Sequence, residues 1–266
     1  MTICADPIGS TSAQTWPEPR VVARMMGSLP MGGVVPETPI HTFAHTPECL
    51  KLPMQCELRP SRRDIDLDGL LAFVIDDVVT PQEADAIVAA SEVFGYRDEA
   101  PGISTPPGMR MNKSVHWLAD EAMLGPIMAR MESLLPPTID GAHLHPMLSH
   151  RINMYRYDDQ DIFNRHTDGD WPGYSLDLDR QTMHEWSGLR SALTMLLYLN
   201  DALDGVKGGN TRLLSRNGRW VDVQPRKGSA LFFRHGFVPD SVIHIGDRVY
   251  GEVPKYVARI NVMYEG

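Results

Sequence analysis

From Arg151 onward the chain breaks into short runs rich in β-branched and aromatic residues, at 151–157, 193–200, 211–214, 219–225, 229–235 and 255–264, separated by Gly, Asp, Asn and Pro. Runs of this length between turn-forming residues read as strands, and several in succession favour a sandwich or barrel. The spacing suits a jelly roll, in which two sheets face each other and enclose a ligand cavity. Chemistry in such a fold belongs to inward-pointing side chains, and alternate residues of a strand share one face.

The stretch Tyr157 to Asp168 ends in His166-x-Asp168, two residues apart, so on an extended chain one imidazole and one carboxylate reach the same ion. Alone the pair is weak, because ten histidines and thirty-four acidic residues produce such pairs by chance. A third ligand is required. His244, in Ser241-Val-Ile-His-Ile-Gly-Asp-Arg, is the first candidate and His235 its rival, both downstream in strand-like segments. Two histidines and one carboxylate make the facial triad of non-haem Fe(II) oxygenases, which leaves the opposite face of the ion open.

The order of the later motifs is more specific. Tyr157 is followed by His166-x-Asp168, Leu193-Thr-Met-Leu-Leu-Tyr-Leu-Asn200, Gly208-Gly-Asn-Thr211, Pro225-x-Lys-Gly-Ser-Ala-Leu-Phe-Phe233, His244-x-Gly and Lys255-Tyr-Val-Ala-Arg259. In this run, from about Arg151 to Tyr264, the chain resembles the 2-oxoglutarate- and Fe(II)-dependent oxygenases, most closely the prolyl-4-hydroxylase-like group. The resemblance implies a mainly β fold, a double-stranded β-helix (jelly-roll) barrel with supporting α-helices packed on one sheet. It implies Fe(II) on His166, Asp168 and His244, with 2-oxoglutarate and O2 as co-substrates and ascorbate as a candidate reductant. His244 is preferred over His235 because it precedes a Gly and stands eleven positions ahead of Lys255, close to the family's interval. His235 ends the Leu-Phe-Phe run and is expected at a loop mouth.

The distal carboxylate of 2-oxoglutarate needs a cation inside the barrel, since an uncompensated buried charge costs several kcal/mol. Lys255 and Arg259 lie four apart on one strand and both are candidates. The family's binder falls at the start of this strand, which favours Lys255, whereas Arg259 offers the planar fork suited to a carboxylate. Tyr157 and Tyr198 coincide with tyrosines that resembled enzymes use to hold the co-substrate, and Thr211 is placed beside it. The segment 169–190 is expected as a loop over the metal, with Trp171 and Trp186 as aromatic lid residues. Arg110 and Asn112 are candidate substrate contacts.

The expected activity is hydroxylation of an unactivated C–H bond in a small molecule, an amino acid or natural-product intermediate, coupled to conversion of 2-oxoglutarate to succinate and CO2. Desaturation and cyclisation also occur in the family. Alternatives are a hydroxylase of prolyl or other protein residues and a barrel that binds a ligand without catalysis. Halogenation is disfavoured because Asp168 fills the position a halide would need. The net charge of −9 argues against nucleic acid as a partner, and so against an alkylated-base demethylase.

At 266 residues one domain is the simple reading, with a Pro/Gly-rich irregular extension over residues 1–60, an oxygenase domain over 61–266 and its metal-binding half over 151–266. Thr80-Pro-Gln-Glu83 carries the signature of a capping box opening a helix that Gly95 ends. A second helix is expected from Asp120 to about Leu135, broken or restarted at Gly125-Pro126, its methionines being core. His41, His45, His143, His145 and His150 read as non-ligands. Cys4, Cys49 and Cys56 form no disulfide framework, and no apolar run approaches the roughly eighteen residues of a membrane span, so a soluble cytoplasmic protein without a membrane partner is expected. The oligomeric state is left open by the sequence.

Overall fold

The computed structural model describes residues 15–25, 37–98 and 108–265. Its N-terminal half contributes β1 (Pro19–Met25), β2 (Thr38–Phe43), β3 (Ser61–Asp64), β4 (Ala72–Asp76), α1 (Pro81–Phe94), β5 (Lys113–Leu118), α2 (Glu121–Met131), β6 (Thr138–Ile139) and β7 (Ala142–Leu148). The expectation of an irregular stretch before residue 60 is corrected here: β2 pairs antiparallel with β1 and parallel with β5, so both join the main sheet. Within β2 the side chains divide between two faces. Ile40 packs with Leu118 and Tyr174, while Phe43 packs against Phe94 and Trp117. Six residues, one of them Pro39, are too few to display that alternation in the sequence.

The capping box forms as expected. The Thr80 hydroxyl accepts from the Glu83 amide and the Glu83 carboxylate accepts from the Thr80 amide. Glu83 also receives a two-pronged contact from Arg130 of α2, with both N···O distances 2.8 Å, which ties the helices together. Pro126 does not break α2, contrary to expectation. The carbonyl its missing amide would have engaged, on Ala122, accepts instead from the Leu52 amide at 3.1 Å, so the orphaned acceptor is satisfied by the preceding chain.

The C-terminal half adds β8 (Arg151–Tyr157), β9 (Phe163–His166), β10 (Pro172–Leu176), β11 (Met183–Tyr198), β12 (Lys207–Gly208), β13 (Thr211–Leu214), β14 (Trp220–Val223), β15 (Ala230–Arg234), β16 (His244–Gly246), β17 (Val249–Tyr250) and β18 (Lys255–Glu265). The main sheet runs β8-β18-β11-β15 at its centre and the small sheet β14-β13-β16-β9. Taken as the eight barrel strands in chain order, these are 1-8-3-6 and 5-4-7-2, the winding of a double-stranded β-helix. Leu196, Tyr198, Leu231, Phe233 and Val257 of the main sheet pack on Leu213 and Val223 of the small one. On the other face of the main sheet, Met154, Leu197, Phe232 and Ile260 pack with Ile87 and Ile127 of the two helices.

The segment 169–190, expected as a loop, is mostly a hairpin in which β10 pairs with the first part of the sixteen-residue β11. Its tip is fastened: the Arg180 guanidinium donates to Asp120 Oδ2 at 3.1 Å and to the Phe43 carbonyl at 3.0 Å. Among the described residues, no helix is long and apolar enough to cross a membrane.

Candidate active site

The small sheet brings the two candidate metal-ligand histidines together by register. His244 of β16 stands opposite His166 of β9, and their ring centroids are 4.1 Å apart. Asp168 lies just past the end of β9, its Oδ1 3.9 Å from His166 Nε2 and its Oδ2 3.9 Å from His244 Nε2. One ligand atom from each of the three lies within 4.8 Å of the others, and no other such group occurs among the described residues.

Both imidazoles are oriented in the same way. His166 Nδ1 donates to the Asn164 carbonyl at 2.7 Å and His244 Nδ1 to the Val242 carbonyl at 3.2 Å. A carbonyl only accepts, so the proton is on Nδ1 and the Nε2 lone pair is free. Burial first, then the neighbouring His244, pushes His166 down to about 3, and burial also lowers His244. Both rings are therefore neutral near pH 7, the form that binds a metal.

Asp168 is held from the main sheet. Burial alone would raise its carboxyl, but Arg259, then His244, His166 and His235, hold it well below the usual carboxylate range. Arg259 Nε donates to Oδ2 at 3.0 Å and the Thr194 hydroxyl donates to the same atom at 2.6 Å. Two neutral imidazole nitrogens and one ionised carboxylate on one side of a common point fit Fe(II).

His235 does not sit at a loop mouth. It is wholly buried behind Asp168, with Nδ1 2.7 Å from Thr194 Oγ1 and Nε2 2.8 Å from Ser191 Oγ. Because the Thr194 hydroxyl gives its proton to Asp168, its oxygen accepts from His235. With its proton on Nδ1, His235 accepts at Nε2 from the Ser191 hydroxyl, whose oxygen accepts in turn from the Trp171 amide at 2.9 Å, so a chain of hydrogen bonds runs from the start of the hairpin to the Asp168 carboxylate. The reading from sequence missed Thr194 and Ser191. A hydroxyl between Leu193 and Met195 in an otherwise apolar strand was the available signal.

Lys255 and Tyr157 face each other in register at the other end of the inner face. Lys255 Nζ lies 5.2 Å from the Tyr157 ring centroid and 5.5 Å from that of Tyr198, and it donates to the Gly209 carbonyl. Burial, opposed by Asp247, pushes its ammonium down to about 7. Gly209 has φ +71, and a Cβ there would come within 2.8 Å of the Lys255 stem, so the glycine both makes the turn and clears the lysine's path. Tyr198 donates to Thr211 Oγ1 at 2.8 Å. Tyr157, Thr211, Lys255, Arg259 and the three metal-ligand residues line one pocket with Tyr155, Phe163 and Leu196.

The four residues expected to meet substrate divide. Arg110 lies 4.8 Å from the Tyr155 ring centroid and 5.3 Å from that of Phe163, beside the pocket. Asn112 is buried and accepts from Arg110 Nε at 3.2 Å, so it positions the arginine. Trp171 covers Arg151, 5.6 Å away. Trp186 is set apart from them, packed against His145 and His150 and over Gly173, where a Cβ would approach it to 2.1 Å.

Residues 152–263 match the sequence profile of the 2OG-Fe(II) oxygenase superfamily. This stretch is a 2OG-Fe(II) oxygenase domain. The cofactors of this superfamily are Fe(II), 2-oxoglutarate and O2. No curated protein matches the chain. Among solved structures, the oxygenase domain and its flanks are similar to the viral collagen prolyl hydroxylase of Paramecium bursaria Chlorella virus-1 in its 2-oxoglutarate complex, with 17% identity over 75% of this chain and 99% of that one and a TM-score of 0.49. A Pseudomonas putida prolyl-4-hydroxylase is similar at 16% identity over 76% of this chain and 96% of that one, with a TM-score of 0.47. HygX from Streptomyces hygroscopicus, bound to nickel and 2-oxoglutarate, is similar at 15% identity over 73% and 82% of the two chains, with a TM-score of 0.43.

Proposed function

We propose that the protein is a 2-oxoglutarate-dependent Fe(II) dioxygenase that hydroxylates an unactivated C–H bond of a small molecule. The observation that carries this reading is one pocket holding both the His166, Asp168 and His244 donor set and the buried ammonium of Lys255. When bound, Fe(II) with 2-oxoglutarate and O2 supplies the oxidising chemistry, and the keto acid leaves as succinate and CO2.

The chain's own part is to bind, orient and exclude. Lys255 neutralises the distal carboxylate of 2-oxoglutarate, and the Tyr157 hydroxyl and Thr211 are in the same pocket to hydrogen-bond it. Tyr198 fixes the Thr211 hydroxyl. Arg259 and Thr194 keep Asp168 ionised and orient it through Oδ2. The two Nδ1–H bonds to backbone carbonyls hold the imidazoles in the ligating tautomer.

A small molecule is favoured over a polypeptide because the β10/β11 hairpin roofs the inner face. Tyr174, Leu176 and Met183 pack on Ile40 and Leu118. That packing covers the inner face at Leu118, which favours a compact substrate over an extended chain. The test is formation of succinate from 2-oxoglutarate with and without Fe(II), followed by mass spectrometry of small-molecule candidates for a gain of one oxygen. Absence of Fe(II)-dependent succinate would sink the proposal.

A further inference from the structure

Beyond Arg259 the inner face of the main sheet carries a further buried cation, Arg151, which the reactions above do not use. Arg151 opens β8, His116 lies on the neighbouring β5, and Arg110 precedes β5. Arg151 Nη2 is 3.3 Å from His116 Nδ1. A guanidinium only donates, so Nδ1 accepts and the imidazole proton sits on Nε2. Burial first, then Arg151, Arg110 and Arg259, holds the His116 ring neutral.

Three N–H groups here are buried without a hydrogen-bond partner: Arg151 Nε, Arg110 Nη2 and His116 Nε2. Among the described residues, no carboxylate lies within ion-pair distance of Arg151 or Arg110. Arg259 is already committed to Asp168. Arg151 instead has aromatic rings around it, Trp171 at 5.6 Å and Tyr174 at 5.5 Å. A guanidinium that is only 9% exposed and lacks a counter-ion is costly to keep in a folded chain, unless a ligand brings the missing charge.

The keto acid cannot be that ligand if Lys255 holds it. Tyr157 faces Lys255, and Arg151 is six residues further along β8, about 20 Å of extended backbone, several times the reach of a five-carbon diacid. The two cations mark opposite ends of the inner face, with the metal triad's partner Arg259 between them.

We propose that Arg151, positioned by His116, receives a carboxylate carried by the small-molecule substrate. The proposal rests on the oxygenase reading above and narrows its substrate to small carboxylic acids. The planar fork of the guanidinium matches a carboxylate edge-on. Its flanking by two aromatic rings suits a flat, singly charged group better than a strongly hydrated tetrahedral dianion.

The experiment is thermal denaturation of the protein loaded with Ni(II) and saturating 2-oxoglutarate, titrated with phenylacetate, phenylacetamide or inorganic phosphate. Phenylacetate is expected to raise the Tm saturably by about 2–4 °C, phenylacetamide to leave it unchanged, and Arg151→Met to lose the response. If that variant does not fold, His116→Phe is expected to weaken the same response and serves in its place. A rise with inorganic phosphate alone, no rise with either anion, or an equal rise in the variant overturns the proposal. If 2-oxoglutarate itself fails to stabilise the Ni(II)-loaded protein, the oxygenase reading falls and this proposal with it. If 2-oxoglutarate stabilises while phenylacetate is silent, only the carboxylate site falls.

Discussion

Arg259 Nε sits 3.0 Å from Asp168 Oδ2, so the arginine that could have served as a carboxylate clamp is paired with a candidate metal ligand. Under the proposed function it is Lys255, four residues earlier on β18, that meets the keto acid. The pairing also joins the two sheets, because Asp168 follows a strand of the small sheet and Arg259 belongs to the main one.

Replacing Arg259 by Leu leaves the buried Asp168 carboxylate without its main counter-charge. Loss of one partner of such a pair costs about 3–5 kcal/mol. Urea denaturation of the metal-free variant is expected to show a loss of that order, and a bound divalent ion, which restores positive charge beside Asp168, to recover part of it. An equal loss with and without metal would contradict the assignment.

Thr194→Val keeps the shape of the side chain but removes the donor to Asp168 Oδ2 and the acceptor for His235 Nδ1–H. Ligand-orienting groups of this kind are worth about 10–100-fold in metal affinity. Chelator competition with Co(II) should read a weakening in that range while the urea midpoint of the metal-free protein moves little by comparison.

Burial holds the Lys255 ammonium down to about 7 in the free protein, against about 10.4 for the unfolded chain. The folded form thus disfavours the charged lysine, and this group alone makes the free protein more stable as pH rises from about 7 towards the unfolded value. Binding of 2-oxoglutarate has the opposite sign because it requires the ammonium. Its affinity is expected to fall above pH 7, approaching about tenfold per unit, with net proton uptake in calorimetry near pH 8. Lys255→Met should bind more weakly and without that slope.

Trp186→Ala tests the hairpin. Since the indole donates to Ser175 Oγ at 2.9 Å and covers Gly173 on the side away from the triad, the variant is expected to lose stability, by less than the roughly 3–5 kcal/mol of a fully buried tryptophan. Its KM for 2-oxoglutarate should be unchanged. A raised KM with an unchanged melting curve would return Trp186 to the site.

Six of the eight barrel strands were legible because each is a short run closed by Gly, Pro, Asp or Asn, and the helix at Thr80 because its cap is written in four consecutive residues. The His166, Asp168 and His244 set was legible through spacing and order. What escaped depends on contacts between distant parts of the chain. Strand β2 is too short to show its period, and the 169–190 hairpin is held by Arg180 reaching Phe43 and Asp120 rather than by a local turn signal. His244 was preferred to His235 on its following Gly and its interval to Lys255, and the pairing of β9 with β16 sets it, not His235, opposite His166. Arg151 reads as the first residue of a strand, and nothing nearby in the sequence announces that it lies beside His116.

Pro126 turns a local defect into an attachment point. By leaving the Ala122 carbonyl without its helical partner, it lets the main chain at Leu52 hook onto α2, and a peptide-to-peptide link does not depend on which side chains surround it. The exposed side chain of Glu48 can therefore change without loosening this mooring, whereas restoring an amide at position 126 would set two donors competing for one oxygen.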